Sequence, residues 1–145
     1  MRTFMSFVTI GVSLMLLQGC GALMHPRAGE YLIQAKGPTG LATLSNLLIQ
    51  MEKSAAAARS GQDVDANLSV LHDQQHAFKK GLCGVTEAEA KTPAFAKLVT
   101  LSQELRPIMH RLMHHAREAA VRELHLDLYL KRIGELKDAL SAVKA

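Results

Sequence analysis

The sequence has no tryptophan, and its aromatic side chains are limited to four phenylalanines and two tyrosines in 145 residues. That leaves few of the stacking platforms on which single-stranded nucleic acid is bound. The net charge of +4 is too mild to replace them with a strong basic patch, so no nucleic-acid partner is expected. No stretch alternates polar and apolar with period two, and few β-branched or aromatic residues are available for strands. The familiar catalytic motifs are missing too: there is no Gly-x-Ser-x-Gly elbow, no phosphate-binding glycine loop and no His-Glu-x-x-His. Asp63 with Asp65, and Glu87 with Glu89, are spaced by two, which on a helix points the carboxylates apart, so they read as solvated charge. No catalytic residue is assigned, and the chain reads as a non-enzyme.

What is present begins at the N-terminus. Arg2 precedes an uncharged apolar run from Phe4 to Leu17, the profile of an export signal. At about 1.5 Å per residue that run covers roughly 21 Å, short of a hydrocarbon core near 30 Å, so a permanent transmembrane anchor is not expected. It closes on Leu17, Gln18, Gly19 and Cys20. This tetrad resembles the lipobox of bacterial lipoproteins, with an aliphatic residue at minus three, a small residue at minus one and then cysteine. Gln18 departs from the usual Ala, Ser or Thr at minus two. The resemblance implies cleavage before Cys20, a diacylglycerol on its thiol and a fatty acid such as palmitate on its freed amine. Several buried acyl chains anchor stably, at about 0.8 kcal/mol per methylene. The expected partner is therefore the lipid bilayer through acylated Cys20. Gly21, rather than Asp, follows the cysteine. By resemblance to enteric-like bacteria that points to the outer membrane, facing the periplasm.

The expected division is a signal peptide over 1–19, a lipidated N-terminus and flexible tether over 20–40, and a helical domain over 41–145. The tether is rich in breakers (Pro26, Gly29, Gly37, Pro38 and Gly40), with Tyr31, Leu32 and Ile33 as apolar exceptions that could dock on the domain. From Leu41 the spacing becomes helical. Leu41, Leu44, Leu48, Met51 and Ala55 form one stripe, with Thr39 or Thr43 as a cap. Asp63 stands as the N-cap of a second helix with Val64, Leu68, Leu71, Phe78 and Leu82 in its stripe, which only Gln75 interrupts. The short link between the two predicts an antiparallel hairpin. After a polar segment over 85–91, Thr92 and Pro93 open a third apolar stripe running from Leu98 past Ile133. As one straight helix, 93–144 would be roughly 78 Å long, so a break is required, with Pro107 the clearest candidate and Gly134 the second. A turn near 120–126 is a further option. The fold class is all-α, a small bundle of three or four helices.

Histidine is the unusual count. His72 and His76 are four apart, as are His110 and His114, so each pair shares a helical face and could chelate copper or zinc. Met109 and Met113 repeat the spacing, and thioethers favour copper. On a helical wheel, however, His110, His114 and His125 lie opposite the apolar stripe beside Arg111, Arg117 and Arg122. That arrangement reads equally as a solvated basic face, able to gain charge as pH falls through about 6.5 and to grip anionic headgroups or an acidic partner. Once Cys20 is acylated, Cys83 is the one cysteine left, so the mature monomer has no internal disulfide. The Cys83 thiol is thus available for an intermolecular bond and a homodimer, for a metal, or for inert packing.

Met51-Glu52-Lys53-Ser54 and Lys91-Thr92-Pro93 resemble segments of periplasmic cytochrome b562-like bundles, over about half of the mature chain. The resemblance implies an exported helical bundle. The axial methionine it calls for about ten residues before Met51 is Leu41 here, and its Tyr-His close is replaced by Ser141 to Ala145. No Cys-x-x-Cys-His occurs, which excludes haem attachment of the c type. The sequence thus points to a lipid-anchored envelope protein whose domain is a non-catalytic structural or protein-interaction module without a cofactor. The alternative is a metal-handling or cytochrome-like bundle.

Overall fold

The three apolar stripes fold as helices in a computed structural model that describes residues 26–143. Those residues are all-α. The elements are α1 (Pro26–Gln34), α2 (Gly40–Arg59), α3 (Val64–Gly81), a 3-10 turn (Leu82–Gly84), α4 (Glu87–Ala90), α5 (Pro93–His114) and α6 (Ala119–Val143). The signal peptide and the Leu17 to Cys20 motif lie outside the described residues.

Six helices exceed the three or four expected, and the two extra ones are short. α1 falls inside the stretch read as a flexible tether. Its breakers do not prevent a helix, because Pro26 sits at the start, where no intrahelical donor is required. Ala28 and Ala35 are buried, Tyr31 and Leu32 pack on the core, and only Ile33 of the three apolar exceptions points outward, at 75% exposure. Arg27 lies 3.8 Å from the Asp73 carboxylate of α3. The link to α2 is fastened by Asn46 Nδ2 donating to the Ala35 carbonyl at 3.0 Å and by the Gly37 amide donating to Thr43 Oγ1 at 2.9 Å. The other short helix, α4, is a single turn closed by a capping box between Thr86 and Glu89.

α2 and α3 form the expected hairpin. Thr39 caps α2, accepting from the Ala42 amide at 3.1 Å, and every member of the Leu41 to Ala55 stripe is buried. Gly40 is required at the first turn, since a Cβ there would stand 2.2 Å from the Gly84 carbonyl oxygen. Asp63 occupies the N-cap position of α3 but does not cap it. Its backbone is left-handed, at φ 34°, and its side chain makes no capping bond. Asn67 Nδ2 instead donates to the carbonyls of Gln62 and Asp63.

The third stripe divides into α5 and α6, but neither at Pro107 nor at Gly134. Thr92 caps α5 by accepting from the Phe95 amide at 3.1 Å. Pro107 is accommodated on the exposed face of the helix, where Gln103, whose carbonyl it orphans, is exposed too, while Leu105 and Met109 on either side are buried. Gly134 is exposed within α6, between the buried Ile133 and Leu136. The chain reverses instead over 115–118, just ahead of the 120–126 window. There the amides of His115 and Ala116 both donate to the Arg111 carbonyl, and Ala116 is buried.

α2 packs between α3 and α6, α5 packs on α6, and α1 lies along α3. Ion pairs fix the antiparallel registers. Lys137 Nζ meets Glu52 at 2.6 Å, Arg132 meets Glu104 at 2.7 Å, and Arg59 bonds Asp127 and lies 3.8 Å from Glu123. Arg59 ends α2 and Glu123 is near the start of α6, so the α2–α3 and α5–α6 turns share one end of the bundle. At the centre Tyr129 and Gln75, both buried, are joined by a 3.0 Å hydrogen bond from the phenol to the amide oxygen.

Candidate functional site

The paired histidines keep the proximity that their spacing implies. On α3 the His72 and His76 rings are 4.7 Å apart and both residues are half-buried. On α5 His110 and His114 are 4.9 Å apart and exposed, and His115 joins them at 5.5 Å from His110. His115 enters because α5 ends beneath it, a consequence of the turn over 115–118 that the spacing did not announce. Among the described residues no group of three or more His, Cys, Asp or Glu side chains is disposed to hold a metal ion. Met109 is buried in the core while Met113 is 41% exposed, so the two methionines do not share one environment.

Across the α5–α6 turn, His110, Arg111, His115, Val121 and His125 line an open cleft of about 430 Å³. A nitrogen of the His125 ring, Nδ1, lies 2.7 Å from the Val121 carbonyl, which fixes that ring against its own helix. Arg111 and Arg117 are exposed and Arg122 is half-buried, and among the described residues none of the three forms an ion pair. Arg59 at the same end differs. The Asp127 carboxylate beside it holds its guanidinium firmly charged, raising its pKa. Lower on α3, Lys79 is pushed below the usual lysine range by partial burial and then by the charge of Arg106.

The apolar residues of this end are also unusual. Of the six large hydrophobic side chains exposed among the described residues, Met113, Val121, Leu124 and Leu128 belong to the α5–α6 hairpin near its turn. At about 100° per residue, Val121, Leu124 and Leu128 fall within roughly 60° of one another on the outside of α6. The signal for this second stripe was the three-four spacing itself. It was masked by the core stripe of Leu126, Ile133 and Leu136 on the same helix.

Cys83 is exposed, in the 3-10 turn at the opposite end of the bundle from His110, His114, His115 and His125. The position at which the cytochrome resemblance calls for an axial methionine, Leu41, is a buried apolar side chain in the core, and Met51 is buried ten residues further along the same helix. No described helix is long and apolar enough to cross a membrane. No family model, no curated protein and no solved structure matches the chain.

Proposed function

We propose that the chain is an exported lipoprotein, acylated at Cys20, whose helical domain is a non-catalytic structural or protein-interaction module of the cell envelope. The observation that carries this reading is the run Arg2, Phe4 to Leu17, then Leu17-Gln18-Gly19-Cys20, placed only six residues ahead of a helix that docks on the bundle. The four long helices are the working part of the domain, and α1 joins it to the anchor. A lipid-bearing N-terminus in the outer membrane, facing the periplasm, would hold such a module at the surface without a transmembrane helix. Cys20→Ser tests it. The variant should lose labelling by a fatty-acid analogue and leave the membrane fraction, and a variant that stays acylated and membrane-bound would overturn the reading.

Metal handling is the second reading, supported by the ring separations of 4.7 and 4.9 Å within the two histidine pairs. Calorimetric titration with zinc and copper(II), beside His72→Ala/His110→Ala, decides it. A site tighter than about micromolar that vanishes in the double variant would favour metal, and weak binding that survives would exclude these histidines as ligands.

A further inference from the structure

Three features meet at the turn end of the bundle: unpaired arginines, an exposed apolar stripe and the approach of the chain from its anchor. The third follows from α1. Its Arg27 lies beside Asp73, and Leu32, further along, lies near Gly81, so α1 runs in the same direction as α3 and its N-terminus points toward the α2–α3 and α5–α6 turns. Asp73 is nine residues below the start of α3, so Pro26 enters about 14 Å beneath that end. Five residues separate Cys20 from Pro26, so the six steps between them reach at most about 21 Å. An acyl chain on Cys20 therefore holds the bilayer surface close to the bundle, and the N-terminus of α1 faces the end that carries the two turns.

We propose that the α5–α6 turn rests on an anionic lipid surface. Arg111 and Arg117 meet headgroup phosphates, with Arg122 at the margin and the His110–His115–His125 cleft supplying further donors, while Leu124 and Leu128 enter the acyl boundary. The chemistry is that of an interfacial amphipathic element, a basic rim around exposed leucines. Charge also orients it. Asp63 and Asp65 on the neighbouring turn repel such a surface, so contact tilts toward α5 and α6. An acidic protein would satisfy the arginines equally well, but an anchored chain keeps a lipid surface within reach of this end, and the exposed leucines suit an acyl boundary.

This inference rests on the lipoprotein reading for its geometry, and the experiment separates the two. The acyl-free mature chain, residues 20–145 with Cys20→Ser, retains the whole described core, which spans Ala28 to Val143. It is sedimented with phosphatidylcholine vesicles and with vesicles that also contain phosphatidylglycerol. Binding should require the anionic lipid and weaken with salt. Arg111→Glu/Arg117→Glu should lower partitioning by at least about twentyfold, and Leu124→Ser/Leu128→Ser should lower it at every salt concentration. Lys36→Glu/Lys97→Glu, an equal change of charge at exposed positions remote from the turn, should leave it largely intact, with circular dichroism confirming that each variant is folded. No preference for anionic vesicles, or equal losses in the two charge-reversed variants, would overturn the proposal. Fatty-acid labelling of the full chain runs in parallel. Acylation without vesicle binding would sink the lipid-facing turn alone, and binding without acylation would sink the anchor while supporting the surface.

Discussion

Tyr129→Phe removes one oxygen from the centre of the bundle, and its consequences are sharp because both partners of that oxygen's hydrogen bond are buried. Gln75 is 4% exposed and its amide oxygen accepts from the phenol at 3.0 Å. Deleting the hydroxyl leaves that oxygen without its partner in a site water does not reach, which costs about 2 kcal/mol. For a domain of this size the melting temperature should fall by roughly 8 °C. The pH dependence supplies a second, independent signature. Burial pushes the Tyr129 pKa well above the ordinary tyrosine value. The unfolded chain therefore releases the phenolic proton above about pH 10 while the folded chain keeps it. Fewer protons are bound in the unfolded state, so wild-type stability is intact below about pH 10 and falls above it by about 1.4 kcal/mol per pH unit. Phenylalanine has no proton to lose. Other titrating groups are common to both proteins, so the stability difference isolates Tyr129 and should narrow as pH rises above about 10. Urea titrations at a series of pH values measure this. Curves that stay parallel from neutral to alkaline pH would show that the phenol is not held neutral in the core. Gln75→Leu/Tyr129→Phe, which removes both polar partners, should recover much of the loss at neutral pH.

Leu71 is fully buried, and Leu71→Asp should unfold the domain or destabilise it by at least about 4 kcal/mol, read by denaturant titration. Asp63→Gly should raise stability by about 1 kcal/mol, because glycine adopts the left-handed backbone at φ 34° without the penalty aspartate carries and no capping bond is lost; a destabilised variant would show that the aspartate is needed there. Gly40→Ala should cost about 2 kcal/mol or more and shift the 3-10 turn, since the new Cβ meets the Gly84 carbonyl, and unchanged stability would refute that close approach. Cys83 is exposed, so native protein should react with a maleimide without unfolding, and reaction only after unfolding would contradict its placement.

Most of the helical core was legible in the sequence because three- and four-residue spacing of leucine has few other solutions. Leu41 to Ala55, and Leu68, Leu71 and Phe78, are buried where their stripes put them. The errors came where tertiary contact outweighed a local signal. Pro107 is a strong breaker in isolation, yet an exposed proline orphans a carbonyl that water can satisfy, and buried Leu105 and Met109 hold the helix on both sides. Asp63 has the right side chain for a cap, but the two-helix turn sets its backbone to a left-handed conformation from which the carboxylate makes no capping bond. Gln75 looked like a flaw in an apolar stripe, and its partner Tyr129 is 54 residues away, beyond the reach of any local pattern.

The turn over 115–118 shows the same limit with a functional consequence. His115-Ala116-Arg117-Glu118 contains neither glycine nor proline, so nothing local requires the chain to reverse there. Reversal follows from the burial of Ala116 and from the Arg111 carbonyl accepting two amides. Once the chain turns, His115 comes beside His110, His125 comes into a shared cleft with both, and the outer leucines of α6 are brought to the same end as Arg111 and Arg117. Read along a single helix, those residues are a basic face and a surplus of leucine. Folded back as a hairpin, they become one surface, at the end of the bundle toward which the N-terminus of α1 points.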